Sequence, residues 1–177
     1  MKYNYLKEKY GTAMVNDWPE VTDPQKFVYE DIAIASYLLV LWEELGFKEV
    51  SFVDIGCGNG LLVYFLTLEG HKGLGIDIRK RKIWSRFNTT KLVERPVLPD
   101  DTFPSADWIL GNHTDELTPW IPVIAARSKS NFWLLPCCFF DLYSKWNNVG
   151  ESSSQYMNYL SFIRSAQSPP VARHLGP

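Results

Sequence analysis

Apolar and polar positions along the chain follow two alternating periods. Short runs rich in β-branched and aromatic residues predict strands, and segments with apolar residues three or four positions apart predict helices between them. The predicted strands are 49–55, 73–77, 92–98, 107–111 and 131–135. The predicted helices are 24–45, 61–69, 79–87, 118–126 and one that begins at a capping box at Ser152. This order indicates an α/β fold with a mainly parallel sheet and helices on both of its faces.

The composition is that of one globular domain. The chain has 177 residues, of which 46% are apolar, so it can bury a core. This excludes disordered, collagen-like and disulfide-rich proteins. We expect an N-terminal extension over residues 1–23, the α/β domain over 24–164 and an irregular, proline-containing tail over 165–177.

The cysteines and the apolar runs indicate in which cellular compartment the protein is expected. Cys57, Cys137 and Cys138 make neither a disulfide framework nor a zinc site of the CxxC type, so we expect a reduced protein without a metal. The N-terminus has no apolar signal core, and no apolar run is long enough to cross a bilayer. We therefore expect a soluble, cytoplasmic monomer with no membrane partner.

A glycine-rich turn after the first strand carries the clearest chemical signal. The sequence Asp54-Ile-Gly-Cys-Gly-Asn-Gly60 lies between a strand and a helix, where glycines allow a tight turn and the close approach of a ligand. The second strand ends at Asp77, 21 positions after Gly56. At this offset a carboxylate can accept hydrogen bonds from both hydroxyls of a ribose. A ribose-containing cofactor is therefore predicted at the carboxyl edge of the sheet.

Two cofactors fit this arrangement. A dinucleotide fingerprint has the spacing GxGxxG, whereas this turn has GxGxG followed by Leu61. Asp54 is unsuited to a pyrophosphate but can hold the amino group of S-adenosylmethionine (AdoMet), which carries no phosphate. We favour AdoMet over NAD and over a turn that binds nothing. The predicted cofactor residues are Asp54, Gly56, Cys57, Gly58, Asn59, Gly60, Asp77, Ile78 and Asn112.

The end of the fourth strand bears on the methyl acceptor. Enzymes that methylate amines or amides usually have Asn/Asp-Pro-Pro-aromatic at this point, but here His113 follows Asn112, so that chemistry is disfavoured. A hydroxyl acceptor needs a base or a shaped pocket to lose its proton, and His113, Asp115 and Glu116 are the local candidates. Each has a second interpretation. His113 fits a structural or cofactor contact, and the two acids fit charges at a helix N-terminus.

A run of basic residues follows the second strand. Residues 71–95 contain eight Lys or Arg against two acids, in a chain whose net charge is −2. One interpretation is a solvated helix face, and the other is a phosphate-binding surface suited to RNA, with Trp84 packed inward or stacked on a base. The predicted RNA-binding residues are Arg79, Lys80, Arg81, Lys82 and Arg86.

Cys137 and Cys138 follow the fifth strand at the same edge of the predicted sheet. A cysteine nucleophile there would indicate methylation at C5 of a pyrimidine, but the sequence offers no dedicated base for it. We expect two small buried residues instead.

Six blocks of the sequence carry a family resemblance: 27–35, 52–63, 75–77, 81–84, 111–127 and 135–141. Together they resemble the eukaryotic tRNA (uracil-2′-O-)-methyltransferases, over nearly the whole chain from about Leu6 to Ile163. That family uses AdoMet to methylate the ribose of a uridine at the start of the variable region of serine tRNA. The resemblance implies a Rossmann-like methyltransferase fold, AdoMet as cofactor and tRNA as substrate.

The resemblance also suggests a catalytic set. Many ribose 2′-O-methyltransferases use a lysine–acid–lysine–acid arrangement. Lys26 matches an early lysine, Asp115 or Glu116 an acid, and Lys129 or Lys145 a second lysine.

After Ile163 the sequence departs from the family, which continues into two more strands. We therefore expect a truncated or alternative form without the last two strands of the sheet. Two alternatives stay open. One is a catalytically impaired variant that binds only cofactor or RNA, and the other is a protein or small-molecule methyltransferase, against which the basic run argues.

Overall fold

The computed structural model describes residues 1–142, 144–145 and 152–165, with side chains for 157–164 in the last segment. These residues form two compact units. The first consists of residues 1–51 and 57–95, and the second of residues 52–56 and the described residues from Pro96 onward.

The first unit starts with an irregular helical stretch. Helix α1 (Lys2–Leu6), a π-helical turn (Lys7–Gly11) and α2 (Thr12–Asn16) follow one another, and all three contact α3 (Pro24–Glu44). The Asp23 carboxylate caps α3, because it accepts hydrogen bonds from the backbone N–H groups of Gln25 and Lys26 at 3.0 and 3.4 Å. Gly46, at φ 83°, follows the last turn, as the sequence predicts.

Helix α4 and two strands complete the first unit. Helix α4 (Leu61–Leu68) is strongly apolar and packs against α3 and β2 (Lys72–Asp77). Strand β2 pairs in parallel with β3 (Lys91–Glu94). The predicted strand 92–98 is therefore too long at its carboxyl end, where Pro96 cannot donate to a ladder.

The predicted helix 79–87 is wrong in type and extent. Only a short 3₁₀ helix forms, Lys82–Arg86, and side chains accept backbone N–H groups both before it and within it. The N–H of Arg79 binds the Asp77 carboxylate at 2.9 Å, that of Lys80 binds Glu94 at 3.2 Å, and that of Ile83 binds Glu20 at 3.0 Å. In the predicted helix the N–H groups of Arg79 and Lys80 would have no intrahelical partner either, so it is the bond from Ile83 to Glu20 that replaces an i→i−4 bond.

The second unit is built on three parallel strands. Strand β1 (Ser51–Ile55), whose residues 52–55 belong to this unit, pairs with β4 (Trp108–Asn112), and β4 pairs with β5 (Asn131–Leu135). A 3₁₀ helix (Asp115–Leu117) and α5 (Trp120–Ser128) connect β4 to β5, and α5 packs on both strands.

Helix α6 (Ser152–Ser165) lies near the end of the described chain, where Tyr159 and Ile163 are buried. The Tyr159 ring lies 4.9 Å from that of Phe139 between centroids, and its hydroxyl accepts the Phe140 N–H at 3.4 Å.

The strands have the order β3-β2-β1-β4-β5 in a five-stranded sheet. The α/β class and the parallel sheet predicted from the sequence are confirmed. The predicted tail, apart from Ser165, and much of the region where two further strands were expected to be missing lie outside the described residues. Within the described ranges, no helix combines the length and the apolar character that a membrane crossing requires.

Candidate active site

The glycine-rich turn follows β1, and it has the conformation that its sequence predicts. Gly56, Gly58 and Gly60 all have positive φ, at 71°, 53° and 78°. The turn is closed by a hydrogen bond of 2.8 Å from the Gly60 N–H to the Cys57 carbonyl, and the Cys57 N–H binds the Ile76 carbonyl of β2 at 3.1 Å. The N-cap of α4 is Gly60, and the side-chain oxygen of the preceding Asn59 accepts the Leu61 N–H at 2.8 Å, which orders the start of the helix.

The glycines of this turn are required for different reasons. A Cβ on Gly60 would lie 2.8 Å from a methyl of Leu92, so the Leu92 side chain would have to shift to admit it. A Cβ on Gly58 would meet no protein atom within 4 Å, so it would project into open space. An uncrowded glycine next to an acidic strand end is the kind of cradle that a ligand fills, and AdoMet fits the residues present.

Asp77 lies at the end of β2 and is half-buried. One carboxylate oxygen accepts the Gly58 N–H at 2.8 Å, and the other accepts the Arg79 N–H at 2.9 Å. The carboxylate therefore holds the glycine turn in place, and the remaining lone pairs of its oxygens are available to a ribose diol. The next residue, Ile78, is 73% exposed, which is unusual for an isoleucine and suits contact with a flat apolar ligand such as adenine.

Asp31, which contacts Asn59 of the same turn, is a candidate that the sequence pattern did not indicate. Asp31 is only 7% exposed on α3, and the Asn59 side-chain nitrogen donates to its carboxylate at 3.4 Å. Burial raises the pKa of Asp31 from 3.8 to about 7, with the nearby Glu30 adding to the shift and the Asn59 bond opposing it. Its position among the apolar residues Val28, Ile32 and Ala35 is the sequence signal that could have identified it.

The second unit contains the other predicted cofactor residues. Asp54 is 1% exposed in β1, in register with Leu110 of β4. Gly56 lies close to Thr114, whose methyl would be 3.4 Å from a Cβ at that position. Asn112 is half-buried at the last position of β4.

The candidate proton acceptors follow β4 in a strained segment. His113 and Asp115 are non-glycine residues at φ 53° and 46°, a conformation that costs free energy and often marks functional sites. His113, Asp115 and Glu116 are all exposed. Thr114 between them is buried, and its hydroxyl lies 3.1 Å from that of Thr118, which fixes the turn.

Cys137 and Cys138 are exposed, so the expectation of buried cysteines is wrong. They follow β5 after Pro136 and lie outside the strand ladder. The Cys137 thiol donates to the Asp115 carboxylate at 3.0 Å. Partial desolvation and the Asp115 carboxylate raise the pKa of Cys137 to about 11. A thiol that stays protonated is a poor nucleophile, which argues against C5 methylation.

The three candidate lysines lie in separate parts of the chain. Lys26 is exposed in the first turn of α3, where its Nζ lies 5.9 Å from the Phe27 ring centroid. Lys129 ends α5 just before β5, so it lies at the opposite end of that strand from Cys137 and cannot join a site at the carboxyl edge. Lys145 is exposed, and its backbone forms a bridge with Phe140.

The basic run is mostly exposed, and one of its cations forms an ion pair. Arg79, Lys80 and Lys82 are exposed and Arg81 is half-buried, and none of the four forms an ion pair within the described ranges. Arg86, by contrast, pairs with Asp17.

Trp84, which the sequence left open between two roles, is buried. Its indole N–H donates to the Gly58 carbonyl at 3.0 Å. It supports the glycine turn and is not available to stack on a base.

A cavity of about 410 Å³ lies in the second unit beside Glu116. Its lining is mainly apolar and includes Trp120 and Phe140, with the carboxylates of Glu116 and Asp141 at its wall. Its size and aromatic lining suit a planar ring with polar edges.

A family model described as "Predicted AdoMet-dependent methyltransferase" matches residues 1–99. The chain is also 56% identical, over 92% of its length, to the "Probable tRNA (uracil-O(2)-)-methyltransferase" of Xenopus laevis and to the human protein of the same name. It spans only about a quarter of those relatives, 26% and 23% respectively. The "tRNA (uracil-O(2)-)-methyltransferase" of Neurospora crassa is 40% identical over 79% of this chain and 34% of its own length.

A solved structure shares the fold. The 1,6-didemethyltoxoflavin-N1-methyltransferase of Burkholderia thailandensis, bound to 1,6-didemethyltoxoflavin and S-adenosylhomocysteine, aligns with a TM-score of 0.51 and 16% identity, over 93% of this chain and 77% of that one. The likeness supports the Rossmann-like methyltransferase fold alone. The family model covers more than half of the residues, and the glycine turn and Asp77 lie within the part that it matches. The chain therefore belongs to the family of AdoMet-dependent methyltransferases.

Proposed function

We propose that the chain transfers the methyl group of AdoMet to the ribose 2′-hydroxyl of a uridine in tRNA. The observation that carries this proposal is the 56% identity, over 92% of the chain, to relatives named for this activity. Because the chain spans only about a quarter of those relatives, the complete activity is part of the proposal. The proposal also includes the target, a uridine at the start of the variable region of serine tRNA, and a cytoplasmic, monomeric state of the protein.

The cofactor site is proposed at the glycine turn and the two acidic strand positions. Asp77 would accept hydrogen bonds from the ribose diol of AdoMet while it continues to hold the Gly58 N–H, a contact of 2.8 Å. Asp54 would face the amino group, Ile78 the adenine, and the open space at Gly58 would admit the cofactor. AdoMet supplies the methyl group, and the protein's contribution is to bring it in line with the acceptor oxygen.

The acceptor site is proposed at the segment after β4. A ribose hydroxyl gives up a proton when its oxygen accepts a methyl group, and His113, Asp115 and Glu116 are exposed candidates to receive it. The 410 Å³ cavity beside Glu116 has aromatic walls that suit an unstacked uracil. Lys26, on α3, stays a candidate for positioning the substrate.

The tRNA surface is proposed at Arg79–Lys82. These side chains come soon after Asp77 in the sequence, so phosphate contacts there would anchor RNA beside the proposed site for the AdoMet ribose. The same surface disfavours a small-molecule acceptor, which would not need four neighbouring cations.

A methyl-transfer assay with labelled AdoMet and serine tRNA tests the proposal. Mass spectrometry of the nuclease-digested tRNA should find one 2′-O-methyluridine, and tRNA with deoxyuridine at that position should take up no label. A methyl group on the base would refute the ribose assignment. Binding of AdoMet and tRNA without transfer would favour the alternative of an impaired, binding-only form.

A further inference from the structure

Three metal-ligating atoms come together after β4 and β5. A carboxylate oxygen of Asp115 and the Sγ atoms of Cys137 and Cys138 all lie within 4.8 Å of one another. Around a tetrahedral Zn²⁺ with Zn–S bonds of ~2.3 Å, neighbouring ligand atoms are ~3.8 Å apart, so side-chain adjustments of about 1 Å would complete the geometry. We propose that these residues form a site for a thiophilic divalent cation, Zn²⁺ in particular. This proposal departs from the expectation, drawn from the cysteine spacing alone, that the chain has no metal site.

The sheet register explains why residues distant in sequence meet here. Asn112 is paired with Leu135, and the His113 N–H extends the ladder to the Leu135 carbonyl at 3.1 Å. Asp115 lies three residues after Asn112, and Cys137 lies two residues after its partner Leu135, so both follow the same paired position of the sheet. The backbone bond of 2.8 Å from Leu117 to Thr114 holds the acidic turn, so one ligand is fixed before any cation arrives.

The ligand set selects the class of cation. Two thiolates and one carboxylate favour Zn²⁺ over Mg²⁺ or Ca²⁺, which prefer oxygen ligands throughout. On binding, each thiol gives its proton to the solvent and each sulfur forms a bond to the cation. The cation replaces the proton that Cys137 now shares with Asp115 at 3.0 Å. All three residues are exposed, which leaves a fourth coordination position to water.

Cobalt(II) is the probe for this site, with the full chain, fully reduced and without AdoMet or RNA. We expect one equivalent of Co²⁺ to produce the near-ultraviolet thiolate-to-cobalt band, and Zn²⁺ to displace it with the release of protons. The double variant Cys137→Ser/Cys138→Ser should lose the band. Asp115→Asn should weaken Zn²⁺ binding by at least about 10- to 100-fold, the range found when groups around a metal are altered.

Two matched variants serve as controls. Glu116→Gln removes the neighbouring exposed carboxylate, and Cys57→Ser removes the thiol outside the cluster; both should bind Co²⁺ as the parent does. Circular dichroism checks that each variant is folded. As a second readout, Zn²⁺ should protect Cys137 and Cys138 from alkylation. Absence of the band in the reduced parent, a band that survives loss of both cysteines, or alkylation unaffected by Zn²⁺ would overturn the proposal.

Discussion

Asp77 illustrates how one side chain can serve both the fold and a ligand. Its two oxygens already accept backbone N–H groups from Gly58 and Arg79, at 2.8 and 2.9 Å. Each carboxylate oxygen has a further lone pair, so the ribose diol can be bound without breaking either bond. The sequence predicts the ligand role from the spacing after Gly56. It does not reveal the structural role, because that depends on how the turn folds back.

We expect Asp77→Ala to weaken AdoMet binding by roughly 10- to 150-fold, because hydrogen bonds to a charged group contribute roughly 1.5–3 kcal/mol. Isothermal titration calorimetry with AdoMet measures the loss. Glu94→Gln is the matched control, because Glu94 occupies the paired position on β3 and is exposed. Equal losses in both variants, or tighter binding of NADH than of AdoMet by the parent, would contradict the assignment.

We expect the buried Asp31 to make the stability of the protein depend on pH. Its pKa of about 7 in the folded state, against 3.8 as its ordinary value, means that the folded protein holds a proton which the unfolded chain has lost between these pH values. The free energy of unfolding should therefore fall as the pH rises through this window, by up to ~4 kcal/mol, and level off above it.

Asp31→Asn should remove this dependence and leave the variant more stable than the parent at pH 8. Chemical denaturation at several pH values measures it. Burial also lowers the pKa of His71, which reduces the stability as the pH falls below 6.5. Because both proteins contain His71, subtracting the stability–pH curve of the variant from that of the parent cancels this effect. The control is Glu43→Gln, an exposed acid on the same helix. A constant difference between Asp31→Asn and the parent from pH 4 to 8 would disprove the effect.

At the scale of elements, the turn between β1 and α4 contains glycines with different roles: some are needed for folding, and Gly58 is needed for binding. A methyl group on Gly58 meets no protein atom, so Gly58→Ala should cost only the ~1–2 kcal/mol of a left-handed residue but should block AdoMet. Gly46, after α3, also has a positive φ, 83° against 53° for Gly58, and equally open surroundings, so Gly46→Ala should likewise lose stability but keep AdoMet affinity. Thermal unfolding and calorimetry on the two variants test this contrast; equal AdoMet affinity in both would argue against it.

Gly75 of β2 is a packing position. A Cβ there would lie 2.5 Å from a Leu92 methyl and 2.8 Å from the Cys57 sulfur. Gly75→Ala should destabilise the fold by about 1–3 kcal/mol through overpacking. The midpoint of urea unfolding reports the change, and a midpoint equal to that of the parent would show that the Leu92 and Cys57 side chains can move aside to admit the methyl group.

Elements with a strong period were predictable, and those shaped by distant side chains were not. The apolar period of α3, its Asp23 cap and the five strands follow from local sequence. In the 79–87 segment the Ile83 N–H, which an α-helix would bond to the Arg79 carbonyl, binds Glu20 instead, a contact between residues 63 positions apart that no local pattern contains. The Asp115–Cys137 contact likewise depends on the register of β4 with β5. The spacing of cysteines alone could not reveal it.

At the scale of the whole molecule, charge is the property that bears on the proposed substrate. The net charge is −2, yet residues 71–95 carry a surplus of six positive charges. The structure divides this surplus: Arg86 is paired with Asp17 and Lys72 with Glu49, whereas Arg79–Lys82 form no ion pair with the described residues. A cation that is already paired with an acid adds less to the binding of RNA phosphates, so we expect the effective surface to be smaller than the sequence suggests.

The tRNA affinity of this surface should depend steeply on salt. The triple substitution Arg79→Gln, Lys80→Gln and Lys82→Gln should weaken tRNA binding at low ionic strength and reduce the slope of log affinity against log salt by about 2 to 3, close to one per lost phosphate contact. Arg86→Gln and Lys72→Gln remove cations that are already paired with acids, so each should change the slope by much less. Filter binding between 50 and 300 mM salt measures all four proteins, and AdoMet calorimetry checks that the cofactor site is intact. If the triple variant kept the parent's slope, the RNA would have to bind elsewhere on the protein, and the assignment of Arg79–Lys82 would be wrong.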